Sequence, residues 1–321
     1  MRIVIVSPLA RIDPEGPRGY MGIERAAFWL ATEFAGRQHE VTLAGNVDDG
    51  PSKFGWTGLH IDTESDVLSP GKIDRLLAAD AVSDWTHLKF ARMVRAKKYS
   101  ATVMWTDVRD EARRNVYPSE AVREAFKDPS APVVPIGLPV EGVGVSDGSG
   151  PYVALGRLAP YKGQDLAVRI AKRAGVKLTV AGHTGFYADA YFSLTTRKAC
   201  ADAGFEFVPD PPDLDALLDG AAGLVHTHRW LESFSIVAAQ ALVRGVPVLT
   251  TDQGAVREWV VATDGGVVLP LKDLEEGKLD GAGEFFERNW SSRRAGIAKR
   301  ARELFDVRGV ADRYLAMWEK A

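Results

Sequence analysis

Residues 225–269 read VHTHRWLESFSIVAAQALVRGVPVLTTDQGAVREWVVATDGGVVL, and this stretch decides the fold. An apolar run at residues 223–225 fits a buried strand. A polar loop follows and ends on Glu232. Residues 236–243 then form a helical run in which Gln240 alone is strongly polar. Gly245 stops that helix, and residues 246–249 read as a second short strand. A lone carboxylate thus stands at a strand-to-helix corner, beside helix-start N–H groups that favour anions and hydroxyl oxygens. Glu232 and Gln240 are eight residues apart, just over two helical turns, so they lie roughly on one side. The pair can hold a polar ligand at two points along its length.

The same alternation runs along the rest of the chain. Residues 3–6, 41–44, 102–105 and 133–136 read as strands, and residues 23–35, 72–79 and 88–96 as helices. Residues 141–150 (EGVGVSDGSG) hold four glycines and no helical period, which marks a linker. Beyond it the pattern restarts, with strands at 152–155, 177–181 and 205–208, helices at 164–174 and 191–203, a further element at 214–218, and an amphipathic helix at 309–320. Alternation of this kind predicts an α/β protein with two doubly wound, Rossmann-like domains. The expected division is 1–140 for the first domain, 141–303 for the second, and 304–321 for a helix that crosses back to the first. Ligands in such sheets bind beyond the strand carboxyl ends, so a cleft between two such domains is the expected site.

Size and composition agree. A chain of 321 residues exceeds one typical core and suits two. It is 46% hydrophobic and 26% charged, ordinary for a globular protein. Its 40 basic and 43 acidic side chains give a net charge of −3, which argues against bulk attraction to nucleic acid. The single cysteine, Cys200, excludes an internal disulfide and suits a reducing compartment. The apolar start is too short for an export signal, and no run reaches the roughly 18 apolar residues that span a bilayer. A cytoplasmic location is expected.

A second constellation follows the linker, at Gly156-Arg157-Leu158-Ala159-Pro160-Tyr161-Lys162-Gly163. Arg157 and Lys162 sit between a buried strand and a helix. Gly156 and Gly163 let backbone approach a ligand closely. Two cations beside a helix start suit a diphosphate, although solvated loop charges would read the same way. His226 and His228 have no cysteine or carboxylate cluster beside them, so no metal is expected. A nicotinamide enzyme would need G-x-G-x-x-G after the first strand, and that motif is missing here.

VALGRLAPYKGQDLAVRIA (153–171) resembles the G-R-L-x-P-x-K-G opening of the donor domain in retaining GT-B glycosyltransferases of the GT4 family. The run from Trp230 resembles that family's W-x-E-P-F-G-(x)4-E-A-M-A-x-G-x-P-V. Residues 19–45 (GYMGIERAAFWLATEFAGRQHEVTLAG) resemble its G-G-I-E-R start. Residues 115–126 (NVYPSEAVREAF) and 82–92 (VSDWTHLKFAR) resemble its V-S-E-A and V-H-D-H-S-H-L segments. Five motifs occur in family order across both halves.

The resemblance implies a sugar transfer from a nucleotide-diphosphate sugar (UDP- or GDP-linked) with retention of anomeric configuration and no metal. It implies that Arg157 and Lys162 neutralise the diphosphate and that Glu232 binds donor-sugar hydroxyls. It assigns donor contacts to Gly22, Gly156, Gly182, His183, Ser233, Phe234, Ser235, Ile236 and Gln240, and makes His87 and Asp107 candidate sugar contacts. Gln240 stands where relatives carry a glutamate that holds ribose, and Ser235 where they carry glycine. These departures support an alternative, a nucleotide-sugar-binding protein that has lost turnover. The acceptor is open: glycan, lipid, protein or small molecule. The basic residues Lys89, Arg92, Arg95, Lys97 and Lys98 read as a solvated helix face, with at most peripheral membrane contact.

Overall fold

The computed structural model describes residues 1–8, 10–12, 22–93, 96, 98–104, 114–185, 188–213 and 215–320. The chain divides into two compact units, Met1–Pro139 with Phe305–Ala321, and Val140–Leu304.

The first unit contains β1 (Arg2–Val6), α1 (Gly22–Gly36), β2 (Glu40–Gly45), β3 (Gly50–Pro51), β4 (Thr57–His60), α2 (Lys72–Ala78), β5 (Ala81–Asp84), β6 (Lys98–Thr102), β7 (Asn115–Val116) and α3 (Glu120–Ala125). Its seven strands run in the order β3-β4-β2-β1-β5-β6-β7, parallel except for the β3–β4 pair. Ile3, Val4, Ile5 and Val6 are all buried, as an inner parallel strand covered on both faces requires. Ile3 is in register with Val41 on one side and Ala81 on the other. α1 buries Ala26, Ala27, Leu30, Ala31 and Phe34, the stripe its 3.6-residue period lays down.

Four sequence expectations fail here. Residues 133–136 form only an isolated bridge, Tyr117 to Val133. The helix expected at 88–96 is a short 3-10 turn, Phe90–Met93. Lys89 is buried with a φ of 54°, and Lys98 lies in β6, so no basic helix face forms among the described residues. The strand expected at 102–105 is β6, which ends at Thr102. β5 is hidden in the sequence because its last residues, Ser83 and Asp84, are polar yet buried. Asp84 accepts hydrogen bonds from the N–H and hydroxyl of Thr86, the N–H of Ala91 and the hydroxyl of Tyr99. Burial pushes its carboxyl up, against the pull of Lys89 and these donors.

The second unit contains β8 (Tyr152–Leu155), α4 (Gln164–Ala174), β9 (Leu178–Gly182), α5 (Ala190–Ala203), β10 (Glu206–Pro209), α6 (Ala216–Asp219), β11 (Gly223–His226), α7 (Ile236–Val243), β12 (Val248–Thr251), α8 (Ala255–Thr263), β13 (Gly266–Leu269), α9 (Leu271–Glu275), α10 (Gly283–Glu287) and α11 (Arg294–Phe305), whose last residue belongs to the first unit. Its six parallel strands run β10-β9-β8-β11-β12-β13. The order reverses between β8 and β11, the point where such sheets open a crevice beyond their carboxyl ends. The loops leaving those two strands are 156–163 and 227–235.

Arginines of α11 tie the unit together at helix ends. Arg302 donates to the carbonyl of Val243, the last residue of α7, at 3.0 Å. Arg300 donates to that of Thr263, the last residue of α8, at 2.6 Å. Both satisfy carbonyls that a helix terminus leaves open.

The final helix, α12 (Val307–Lys320), packs within the first unit. Tyr314 and Thr102 share a hydrogen bond of 2.9 Å, and the Trp318 indole donates to Ser100 at 3.3 Å. Among the described residues, no helix is long and apolar enough to cross a membrane.

Candidate functional site

Loop 156–163 is built to hold Lys162 in place. Pro160–Lys162 is one 3-10 turn, and Gly163 joins it to α4 at a φ of 72°. A Cβ at Gly163 would sit 1.8 Å from the Thr227 carbonyl oxygen, so glycine is required there. The Thr227 hydroxyl also donates to the Gly163 carbonyl at 2.7 Å. Arg229 completes the tie between the loops. Its N–H donates to the Tyr161 carbonyl at 2.8 Å, and its guanidinium reaches the Pro160 carbonyl and both oxygens of Asp165, each at 2.7 Å.

The outcome is a buried ion pair spanning 70 positions of sequence, with Lys162 Nζ 2.5 Å from Glu232 Oε2. The Trp230 indole donates to the same oxygen at 3.0 Å. Lys162 Nζ also lies 4.9 Å from the Trp230 ring centroid and 5.9 Å from that of Tyr161, in cation–π range of both. The Arg157 guanidinium donates to the Tyr161 hydroxyl at 2.8 Å. Tyr161 therefore stands between the two cations. Sequence reasoning overlooks Tyr161 and Arg229; an aromatic residue preceding the lysine is the available signal for the first.

Burial alone would push the Glu232 carboxyl up, but Lys162, with smaller help from His228 and His226, holds it down at about 2. At neutral pH Glu232 is a permanent carboxylate that only accepts hydrogen bonds. Its backbone is fixed as well. The Ala255 N–H donates to the Glu232 carbonyl at 2.8 Å. Gly254 packs so closely that a Cβ there would lie 2.4 Å from that oxygen. Gly254 is a further residue that sequence reasoning misses.

Ser235 precedes α7 with a φ of 65° and a ψ of 89°, and its hydroxyl accepts from the Ala238 N–H. The position where the family resemblance puts glycine thus has a left-handed backbone angle, with serine in it. Phe234 is buried, and its carbonyl accepts from the Trp259 indole at 2.9 Å. Ser233 is buried and Ile236 half-buried in the same turn. His226 is buried with Nε2 at 3.1 Å from the Ser235 hydroxyl, and His228 donates through Nε2 to the Gln253 carbonyl at 2.6 Å. Burial pushes both imidazoles below their ordinary range, His226 the further.

Gln240 does not stand alone. Its amide donates to Asp215 Oδ1 at 2.6 Å, and its own Oε1 is buried with no hydrogen-bond partner. The carboxylate that relatives are expected to carry at this position stands here on the neighbouring residue, just before α6. Gly156 follows β8, and its N–H donates to the Ala181 carbonyl beside Gly182, the end of β9. His183 follows and donates through Nδ1 to Asp210 at 2.7 Å; burial opposes it, yet Thr184 and His183 hold the Asp210 carboxyl below its usual range.

Arg157, Lys162 and Glu232 are thus brought together in the second unit, with Ser233, Phe234, Ser235 and Ile236 in the same turn as Glu232. Gly22 and His87 belong to the first unit. Gly22 opens α1, and His87 is exposed, its N–H donating to Glu64 at 3.1 Å. Asp107 lies outside the described residues, as do residues 13–21, Arg95 and Lys97.

Comparison with known proteins bears on the fold and the family. Residues 144–303 match the model of the family described as glycosyl transferases group 1. The chain is 34% identical over 119 residues to a D-inositol 3-phosphate glycosyltransferase of Mycobacterium avium (strain 104), covering 34% of this chain and 28% of that protein. It is 30% identical over 175 residues to the enzyme of that name in Mycobacteroides abscessus, covering 52% of this chain and 38% of that protein. The match therefore spans about a third of the length of these relatives. Over 100% of this chain and 97% of the other, the fold is similar to AviGT4, a glycosyltransferase involved in avilamycin A biosynthesis, with a TM-score of 0.75 at 19% identity. It is also similar to HepE of Anabaena in complex with UDP, with a TM-score of 0.72 at 14% identity over all of both chains. These neighbours share the GT-B fold, two doubly wound sheets, and residues 144–303 make this chain a member of the glycosyl transferases group 1 family.

Proposed function

We propose that this protein is a glycosyltransferase that moves a sugar from a UDP- or GDP-sugar to an acceptor hydroxyl with retention of anomeric configuration. The observation that carries this reading is the buried Lys162–Glu232 pair, walled by Tyr161 and Trp230 at the switch point of the second sheet. The family match and the names of the two mycobacterial relatives support it. HepE, similar in fold, has been captured with UDP-glucose as well as UDP, which favours a uridine donor.

On this reading Arg157 and Lys162 receive the charge that grows on the leaving diphosphate, supplying what a metal would otherwise bring. Glu232, acceptor-only at neutral pH, takes hydrogen bonds from hydroxyls of the donor sugar and does not serve as a general acid. Gly156, Gly182 and His183 border the nucleotide, Ser233, Phe234, Ser235 and Ile236 border the sugar, and Gln240 acts with Asp215 on the ribose. The acceptor oxygen bonds to the anomeric carbon as the bond from that carbon to the diphosphate oxygen breaks. The electron pair leaves with the diphosphate, which takes the acceptor's proton.

A panel of UDP- and GDP-sugars, assayed with and without candidate acceptors, tests the proposal. Release or transfer of sugar, abolished by Glu232→Ala or Lys162→Ala, is expected, and NMR of the product reads the anomeric configuration. Inertness across the whole panel sinks it. The strained Ser235 and the altered Gln240 favour one rival, a protein that binds a nucleotide sugar without turnover. Calorimetric binding with no product in any acceptor screen would select that rival.

A further inference from the structure

Ser235 is one of six non-glycine residues with a positive φ among the described residues, and it lies three positions after Glu232. A serine at a φ of 65° is in a conformation that side chains other than glycine's disfavour. Such a conformation persists only when its surroundings over-determine it. Three contacts do so here. The Ala238 N–H donates to the serine hydroxyl at 3.4 Å, capping α7. The Trp259 indole holds the preceding carbonyl, that of Phe234. The third contact comes from the end of β11: His226, only 3% exposed, places Nε2 at 3.1 Å from the serine hydroxyl. The hydroxyl thus accepts from the Ala238 N–H and shares a second hydrogen bond with the imidazole.

His226 is itself fixed. The Thr250 hydroxyl donates to its carbonyl at 3.2 Å, and its ring lies 4.9 Å from that of His228. A rigid, buried histidine thus grips the side chain of a residue three positions after Glu232.

We propose that His226 is a positioning residue that holds Ser235 in its left-handed conformation and so aims the Glu232–Ser235 turn at the sugar of the donor. His226 and Ser235 form one coupled device: a glycine at this position would adopt the backbone unaided, whereas serine needs the histidine. This inference rests on the reading of the Glu232 turn as the sugar-binding element.

Four proteins test it: the parent, His226→Leu, Ser235→Gly and the double variant. The probes are UDP-glucose and UDP, followed by calorimetry, together with donor turnover. His226→Leu is expected to weaken UDP-glucose about tenfold and to raise KM more than it lowers kcat, while UDP binding changes less than about twofold. Ser235→Gly in the His226→Leu background is expected to restore UDP-glucose binding to within about threefold of the parent. Equal impairment of the single and double variants, or no effect of His226→Leu, overturns the proposal. If the parent binds neither probe, the functional reading fails first, and coupling is then read from unfolding. His226→Leu should lower Tm by about 3 °C more in the parent background than in the Ser235→Gly background. Identical losses in both backgrounds overturn the coupling.

Discussion

Lys162 Nζ and Glu232 Oε2 stand 2.5 Å apart with side-chain exposures of only 12% and 9%. Removing one partner of such a pair leaves the other charged and nearly dry, which costs far more than the pair itself contributes. Lys162→Met should therefore destabilise the protein by about 3–5 kcal/mol. Adding Glu232→Gln removes the stranded charge and should return most of that stability without returning donor turnover. Urea unfolding of the three proteins reads the first effect, and donor assays the second. A Lys162→Met protein as stable as its parent would show that the carboxylate is solvated.

Gly254 has no room for a side chain, since a Cβ would lie 2.4 Å from the Glu232 carbonyl oxygen and its φ is 70°. Gly254→Ala should shift the Glu232 backbone, lower kcat/KM at least about tenfold and cost about 1–3 kcal/mol. Gly36, with nothing within 4 Å of its would-be Cβ, is the control. Gly36→Ala should leave turnover unchanged in the same assay.

On the proposed function, Gln240 and Asp215 divide what one acid would otherwise supply. Gln240→Glu would set two carboxylates at the 2.6 Å now bridged by an amide hydrogen. They cannot both ionise comfortably, so the variant should bind UDP about tenfold more weakly than the parent. Asp215→Asn in that background provides a donor again and should recover binding. Titration calorimetry with UDP decides it; a Gln240→Glu protein that binds UDP more tightly contradicts the arrangement.

Stability should decline on mild acidification. His226 and His228 have folded pKa values below the ordinary imidazole value, so they stay neutral while the unfolded chain takes up protons near pH 6.5. Their contribution is complete above about pH 6.5 and is lost as the pH falls, at up to about 1.4 kcal/mol per pH unit for each residue. Glu232, held at about 2, follows the same sign lower down: its contribution is whole above the normal carboxylate range and fades only toward that value. His60, raised beside Asp62, works in the opposite sense, so the useful comparison is variant against parent. The His226→Gln/His228→Gln protein should show a flatter fall in Tm between about pH 7 and 5.5. Parallel curves would mean that the imidazoles are already solvated.

Local runs and motifs made much of the molecule legible. Ile3–Val6 announces itself as a buried strand because four branched apolar residues stand together, and α7 runs over the residues its apolar period marks out. β5 does not, since Asp84 is buried for its hydrogen bonds rather than for its hydrophobicity. The cations Arg157 and Lys162 stand out in the sequence from the turn that carries them. Their surroundings are not, because the contacts that set them are distant in sequence. Glu232 lies 70 positions from Lys162, Asp215 lies 25 from Gln240, and Gly254 becomes meaningful only where it meets Glu232. Patterns within a dozen residues reveal elements; closeness created by folding assigns them neighbours.

The return of α12 to the first unit bears on how the protein is made. The ribosome delivers Val140–Leu304 as one uninterrupted run, ready to fold as soon as it emerges. The first unit is completed later, for Phe34 and Trp85 pack against Trp318 and Tyr314, which are synthesised only after that run. Damage to α12 therefore falls on residues that precede Val140 in the chain, not on the run beside it.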